Sequence, residues 1–129
     1  ITLPDEYYVQ GQYYNSELSR KATEQLLSLP NPPTCIFFPD DFSALGGIKA
    51  IHSRGLTPGK DISIVGYDGI LLTSMLVPPL TTYEQDGNTI GRTMATLLIE
   101  QIEKKQISQN RTILINGKLI PGGTVKSLI

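Results

Sequence analysis

Three residues, Tyr13, Asp40 and Asp68, carry the side chains with which this sequence could do chemistry. A carboxylate accepts paired hydrogen bonds from vicinal hydroxyls, and an aromatic face covers the apolar side of a sugar or a heterocycle. Two acids and an aromatic plate around one crevice therefore suit a polyhydroxylated or heterocyclic small molecule. Each of the three falls just past the carboxyl end of a segment that reads as a strand. Simpler roles compete with that reading. Asp40 or Asp41 can cap the helix that begins near Phe42, and Tyr13 can be packing, with Tyr14 beside it able to take its place. Asp68 has no clear helix start behind it to need a cap. Catalysis and metal binding find no footing, because one His (His52) and one Cys (Cys35) make neither a triad nor a conventional metal site. The run Gly66-Tyr67-Asp68-Gly69 is too short for a phosphate loop, and no nucleophile elbow is present. No enzyme, metal or cofactor is expected.

The elements that must position these residues alternate. Tyr7–Val9 reads as a short strand, and a helix follows from Ser16, its expected N-cap, through Leu18, Ala22, Leu26 and Leu29 until Pro30. Cys35–Phe38 reads as a strand buried on both faces. A helix with Phe42, Leu45, Ile48 and Ile51 then runs to Gly55. Ile62–Tyr67 is a second buried strand, Leu80–Tyr83 a further one, and Asp86 or Asn88 caps a helix bearing Ile90, Met94, Leu97, Leu98 and Ile102. Ile113–Ile115 is expected to be the last strand, with Asn116-Gly117 behind it as a local hairpin signal. Alternating strands and helices imply βαβ units and an α/β fold with a Rossmann-like parallel sheet and flanking helices. In such sheets ligands bind beyond the carboxyl ends of the strands, which is the rule that selects Tyr13, Asp40 and Asp68.

Composition bounds the partners. With 11 Lys+Arg against 12 Asp+Glu in 129 residues the formal charge is −1, which lacks the basic footprint of a nucleic-acid binder. A hydrophobic share of 40% with 18% charged residues fits an ordinary globular chain. A lone cysteine excludes an intrachain disulfide and fits a reducing compartment. No apolar run approaches the ~20 residues that cross a bilayer. The apolar segment Ile70–Val77, together with the helix face containing Leu45, reads either as core or as a subunit interface.

Three blocks, PTCIFFPDDFSALGGIKAIHSRGL, GKDISIVGYDG and VPPLTTYEQDGNTIGRTMATLL, resemble in order and spacing the effector-binding half of the LacI/GalR family of bacterial transcription regulators. The resemblance covers nearly the whole chain. It implies a periplasmic-binding-protein-like (type I) fold of two α/β lobes, of which this chain holds an incomplete C-terminal lobe in 1–83. Residues 84–115 would supply a helix and strand to the other lobe, and 116–129 a crossing tail. It further implies that Tyr13 stacks on the effector, that Asp40 stands where the family has Asn, that Asp68 binds effector hydroxyl or ring groups, and that Gln85 lines the pocket. The matching helix and loop form the family's dimer contact, here Leu45, Ile48, Leu72 and Leu76. The partners implied are a small-molecule effector, such as a sugar, a second copy of the chain, and operator DNA through a headpiece that this chain lacks. The expected compartment is the cytoplasm, with no membrane contact. Departures are Asp40 for Asn, Gly69 for a second acid, and Ile-Pro-Gly-Gly-Thr-Val in place of an Arg-Glu-Ser-Thr run. A solute-binding protein of a transport system is the alternative from another class.

Overall fold

The computed structural model describes residues 2–12, 14–104 and 112–127. The chain divides into two compact units, one formed by Ile1–Glu84 with Leu119–Ile129 and the other by Gln85–Lys118.

The first unit is built on a helix pair and a sheet. Asn15, rather than Ser16, caps α1 (Ser16–Leu26), its side chain accepting from Leu18 N. Strand β1 (Cys35–Phe37) leads through Pro39 and Asp40 into α2 (Asp41–Ser53), which ends at Gly55 in the left-handed region with φ 72°. Strand β2 (Ser63–Asp68) pairs parallel with β1, with Ile36 opposite Ile64, and β3 (Thr81–Glu84) pairs parallel with β2, with Val65 opposite Thr81 and Asp68 opposite Glu84. The sheet order is β1-β2-β3-β4, with β4 spanning Lys118–Ile120.

Alternation decides which side chains are buried. Ile36, Ile64 and Leu80 face α1 and α2 and join Leu26, Phe38, Ala44, Ile51 and Ile62 in one core. Fully burying Ile51 or Ile64 contributes about 1.5–3 kcal/mol each. Helices α1 and α2 approach closely because α2 carries Gly46, where a Cβ would lie 1.9 Å from the Ser16 carbonyl oxygen, and the neighbouring Gly47 makes room for the Phe38 ring. The tail then closes the lower end of the sheet. Buried Thr124 donates from its hydroxyl to Ile64 O (2.9 Å) and accepts from Thr81 N (2.9 Å), while its carbonyl accepts from Ile64 N.

Three further expectations change. Tyr7–Val9 is no strand, since Asp5–Tyr7 forms a 3₁₀ turn that Pro4 precedes and Tyr8 and Val9 are exposed. The β1 strand, at the edge of the sheet, is buried on one face only, with Cys35 exposed and Phe37 64% exposed. A continuous apolar run predicts burial on both faces, but successive side chains alternate, and Ile36 points to the core shared with α1 and α2 while Cys35 and Phe37 point to the opposite face. Ile113–Ile115 is irregular and the last strand is Lys118–Ile120, so Asn116-Gly117 precedes a strand instead of joining two. The segment after β2, for which the sequence offers core or a subunit interface, forms a 3₁₀ helix over Leu71–Met75.

In the second unit, α3 (Gly87–Lys104) is capped by Asp86, whose carboxylate accepts from Thr89 N (3.0 Å) and Thr89 Oγ1 (2.6 Å). Met94, Leu98, Ile99 and Ile102 on this helix are exposed. Among the described residues no helix is long and apolar enough to cross a membrane.

Candidate functional site

The parallel strands β1 and β2 deliver their carboxyl ends side by side, so the residues that follow them share one edge of the sheet. Asp40 follows β1. Asp68 ends β2. From the chain ahead of α1, Tyr14 reaches across both.

Tyr14 is the pivot. Its phenol donates to Asp68 Oδ2 at 2.7 Å, its backbone N–H donates to Asp40 Oδ2 at 3.0 Å, and its ring lies 5.9 Å from that of Phe42 at a tilt of 48°. The ring is 62% exposed, so an aromatic face is open to solvent while its edge is held. The bond to the Asp68 carboxylate, with the repulsion of that negative charge behind it, holds the Tyr14 phenol above the usual tyrosine range. Both partners stand in strained backbone: Tyr14 has φ 55° and Asp68 has φ 114°, a conformation that a non-glycine residue keeps only where its surroundings dictate it.

Asp40 has a different environment. It is 1% exposed and caps α2, Oδ1 accepting from Ser43 N (2.7 Å) and Oδ2 accepting from Ser43 Oγ (2.8 Å) as well as from Tyr14 N. The capping reading and a contact with the site's aromatic residue thus coexist, and the carboxylate meets the site through Tyr14's backbone. Asp41, which the sequence offered only as an alternative cap, is 0% exposed and bonds Thr82 Oγ1 (2.7 Å) and Ile70 N (2.9 Å). Glu84, in register with Asp68, adds a carboxylate at the same sheet end. Tyr67 and Tyr83 stack across β2 and β3 with ring centroids 5.6 Å apart.

The structure therefore brings Asp40 and Asp68 to one aromatic residue, which is Tyr14. Tyr13 lies outside the described residues. Tyr14 directly precedes Asn15, the cap of α1, and is the tyrosine the sequence offered beside Tyr13. Gln85 belongs to the second unit and is exposed, its carbonyl accepting from Gly87 N. Asp41, Glu84 and Phe42 were not singled out for the site. Among the described residues no group of three or more His, Cys, Asp or Glu is placed to hold a metal ion. Acids gathered at one sheet end beside an exposed aromatic face can accept hydrogen bonds from a donor-rich small molecule and cover its apolar side.

Of the residues expected at a dimer contact, Ile48 and Leu76 pack partly against the core, Leu45 is half-buried and Leu72 is 43% exposed. The more open apolar side chains beside them are Phe42, Leu71, Met75 and Val77. His52, near the end of α2, is exposed and lines a shallow groove with Ile48, Leu76 and Val77.

Residues 2–125 match the family described as a periplasmic binding protein-like domain. Over 124 residues the chain is 36% identical to the HTH-type transcriptional repressor CytR of Escherichia coli, a match that takes in 96% of this chain and 36% of that protein. The crystal structure of a LacI transcriptional regulator from Bacillus cereus subsp. cytotoxis superposes with a TM-score of 0.90 at 33% identity, over 96% of this chain and 43% of that one. The Lac repressor dimer bound to operator and the anti-inducer ONPF superposes with a TM-score of 0.75 at 33% identity, over 84% of this chain and 37% of that one. The chain spans about a third of the length of CytR.

Proposed function

The chain belongs to the periplasmic binding protein-like domain family and matches the effector-binding core of LacI-type regulators, and on that premise we propose that it is the small-molecule-sensing and dimerising part of a transcription regulator. The observation that carries this reading is the Tyr14–Asp68 pair: an exposed aromatic ring hydrogen-bonded to a carboxylate beyond the carboxyl ends of parallel strands. The expected ligand is a sugar or a related donor-rich ring, and it bonds Asp68 while lying against Tyr14. Bound ligand favours one arrangement of the core over another, and the dimer passes that preference to a DNA-binding part elsewhere in the regulator, in the cytoplasm. The chain's charge of −1 supports placing DNA contact in that other part. The proteins it resembles are repressors, which favours regulation over transport.

The test is thermal-shift screening of the full-length protein against lactose, ribose, cytidine and adenine, followed by titration of any hit against Asp68→Ala. A ligand at 100 times its Kd stabilises by ~2.7 kcal/mol, well within reach of the method. Loss of at least tenfold in affinity with folding retained supports the reading; unchanged affinity removes Asp68 from the site. For the dimer, Leu72→Glu is expected to shift the protein to monomer in sedimentation, and an unshifted dimer would show that Leu72 lies outside the contact.

A further inference from the structure

Asp68 and Tyr14 hold strained backbone, so something else must hold them. Asp40 does this for Tyr14 by accepting its N–H. The counterpart for Asp68 lies two residues beyond it. Ile70 N donates to Asp41 Oδ2 at 2.9 Å, and Asp41 Oδ1 takes the Thr82 hydroxyl of β3 at 2.7 Å. The Asp41 carboxylate is 0% exposed and cannot itself meet a ligand. Space for it exists only because β2 has glycine at 66, where a Cβ would stand 2.2 Å from Asp41 Oδ1. Between Asp68 and Ile70, Gly69 turns at φ 73° with its Cα against Glu84, where a Cβ would lie 2.5 Å from the Glu84 side chain. The turn Asp68-Gly69-Ile70 is thus pinned at its far end by a buried carboxylate fixed to the first turn of α2.

We infer that Asp41 is the positioning residue of this site: by binding Ile70 N it fixes the turn that aims Asp68 at Tyr14, and because Ile70 also begins the 3₁₀ helix Leu71–Met75, it ties the site to the exposed apolar segment of the proposed dimer face. Successive acids divide the work, Asp40 holding the aromatic partner and Asp41 holding the acidic one. This inference rests on the reading of Tyr14 and Asp68 as the ligand site, but its geometry can be tested without any ligand.

Tyr14 reports the position of Asp68, because their hydrogen bond holds its phenol above the usual range. In full-length protein labelled with ¹³C at tyrosine Cζ, with Tyr14→Phe to assign the resonance, the Tyr14 titration is followed by NMR in three variants. Asp41→Leu keeps a similar volume and accepts no hydrogen bond. Ile70→Pro removes the N–H and keeps an apolar side chain, at a residue whose φ of −68° already suits proline, and it remains informative if Asp41→Leu does not fold. Thr82→Val removes the other bond of Asp41 and leaves Ile70 N in place. The expected result is that Asp41→Leu and Ile70→Pro return Tyr14 to the range of exposed tyrosines while Thr82→Val leaves it high. A Tyr14 titration unchanged in Asp41→Leu or Ile70→Pro, or lowered equally by Thr82→Val, overturns the positioning role. A wild-type Tyr14 that titrates in the ordinary range overturns the Tyr14–Asp68 contact itself, and with it both the site reading and this inference.

Discussion

Replacing Gly46 by alanine tests the helix contact on which the site is mounted. In the middle of a helix this change ordinarily stabilises, by about 1 kcal/mol of helix propensity. Here the new Cβ would stand 1.9 Å from the Ser16 carbonyl oxygen and within 3 Å of the Ser16 carbonyl carbon and Cα. That is about 1.5 Å inside ordinary contact distance, and the atoms are backbone, so no rotamer change relieves the clash. The helices must separate, which strains the Ser19 Oγ to Ser43 O bond of 2.7 Å and loosens the core beneath. Overpacking of this kind costs typically 1–3 kcal/mol and occasionally more. Because the clash is with backbone, the upper end of that range applies, and with the propensity gain subtracted a net loss of about 2 kcal/mol is expected from urea unfolding of the full-length protein. Lys49→Ala, on the exposed side of the same helix, should stay within about 0.5 kcal/mol of wild type. Because Ser16 is two residues from Tyr14, the ligand affinity of Gly46→Ala should fall as well. A Gly46→Ala protein as stable as wild type or more so would refute the close approach of α1 and α2 and the account of how Tyr14 is placed.

Three further outcomes follow from named contacts. Asp40→Ala leaves Ser43 N, Ser43 Oγ and Tyr14 N without their acceptor and should cost about 2 kcal/mol by urea unfolding, whereas Asp40→Asn keeps an oxygen for Ser43 N and should cost less. Ile64→Ala, at 0% exposure near the start of β2, should cost about 2–5 kcal/mol in the same assay, and a smaller loss would mean that the sheet face collapses around the missing atoms. Thr89 binding holds the Asp86 carboxyl below its ordinary value, so its contribution to the start of α3 is present above that ordinary value and lost as pH falls through the lowered one. The Thr89 amide resonance should follow that acid titration in wild type and show no such step in Asp86→Ala.

Periodicity and turn chemistry alone determined the order of the elements around the sheet. Pro30, Pro39 and Gly55 punctuate the chain, β-branched runs mark β2, and the spacing of Leu45, Ile48 and Ile51 marks α2. Those signals are local, and the β-α-β order they produce was enough to select Asp40 and Asp68 as residues past strand ends. The family was legible for the same reason, since its blocks coincide with those strand ends and caps. Local signals misplaced Tyr7–Val9 and Ile113–Ile115, where β-branched or aromatic composition was read as a strand although pairing depends on a neighbour.

What tertiary structure decided is which of several equivalent side chains does each task. Tyr14 meets Asp68 because Asn15 caps α1 and because the Gly46 contact with Ser16 sets where that helix begins. Asp40 and Asp41 are the same residue type one position apart. One caps a helix and holds a tyrosine, while the other is buried against β3 and pins the turn after β2. Asp40 has the extended backbone of an N-cap and Asp41 is the first helical residue, and that change of backbone separates those fates. Sequence records the residue type, whereas the partners that fill a carboxylate's hydrogen bonds come from segments up to 54 positions away, and only the packed chain brings them within 3 Å.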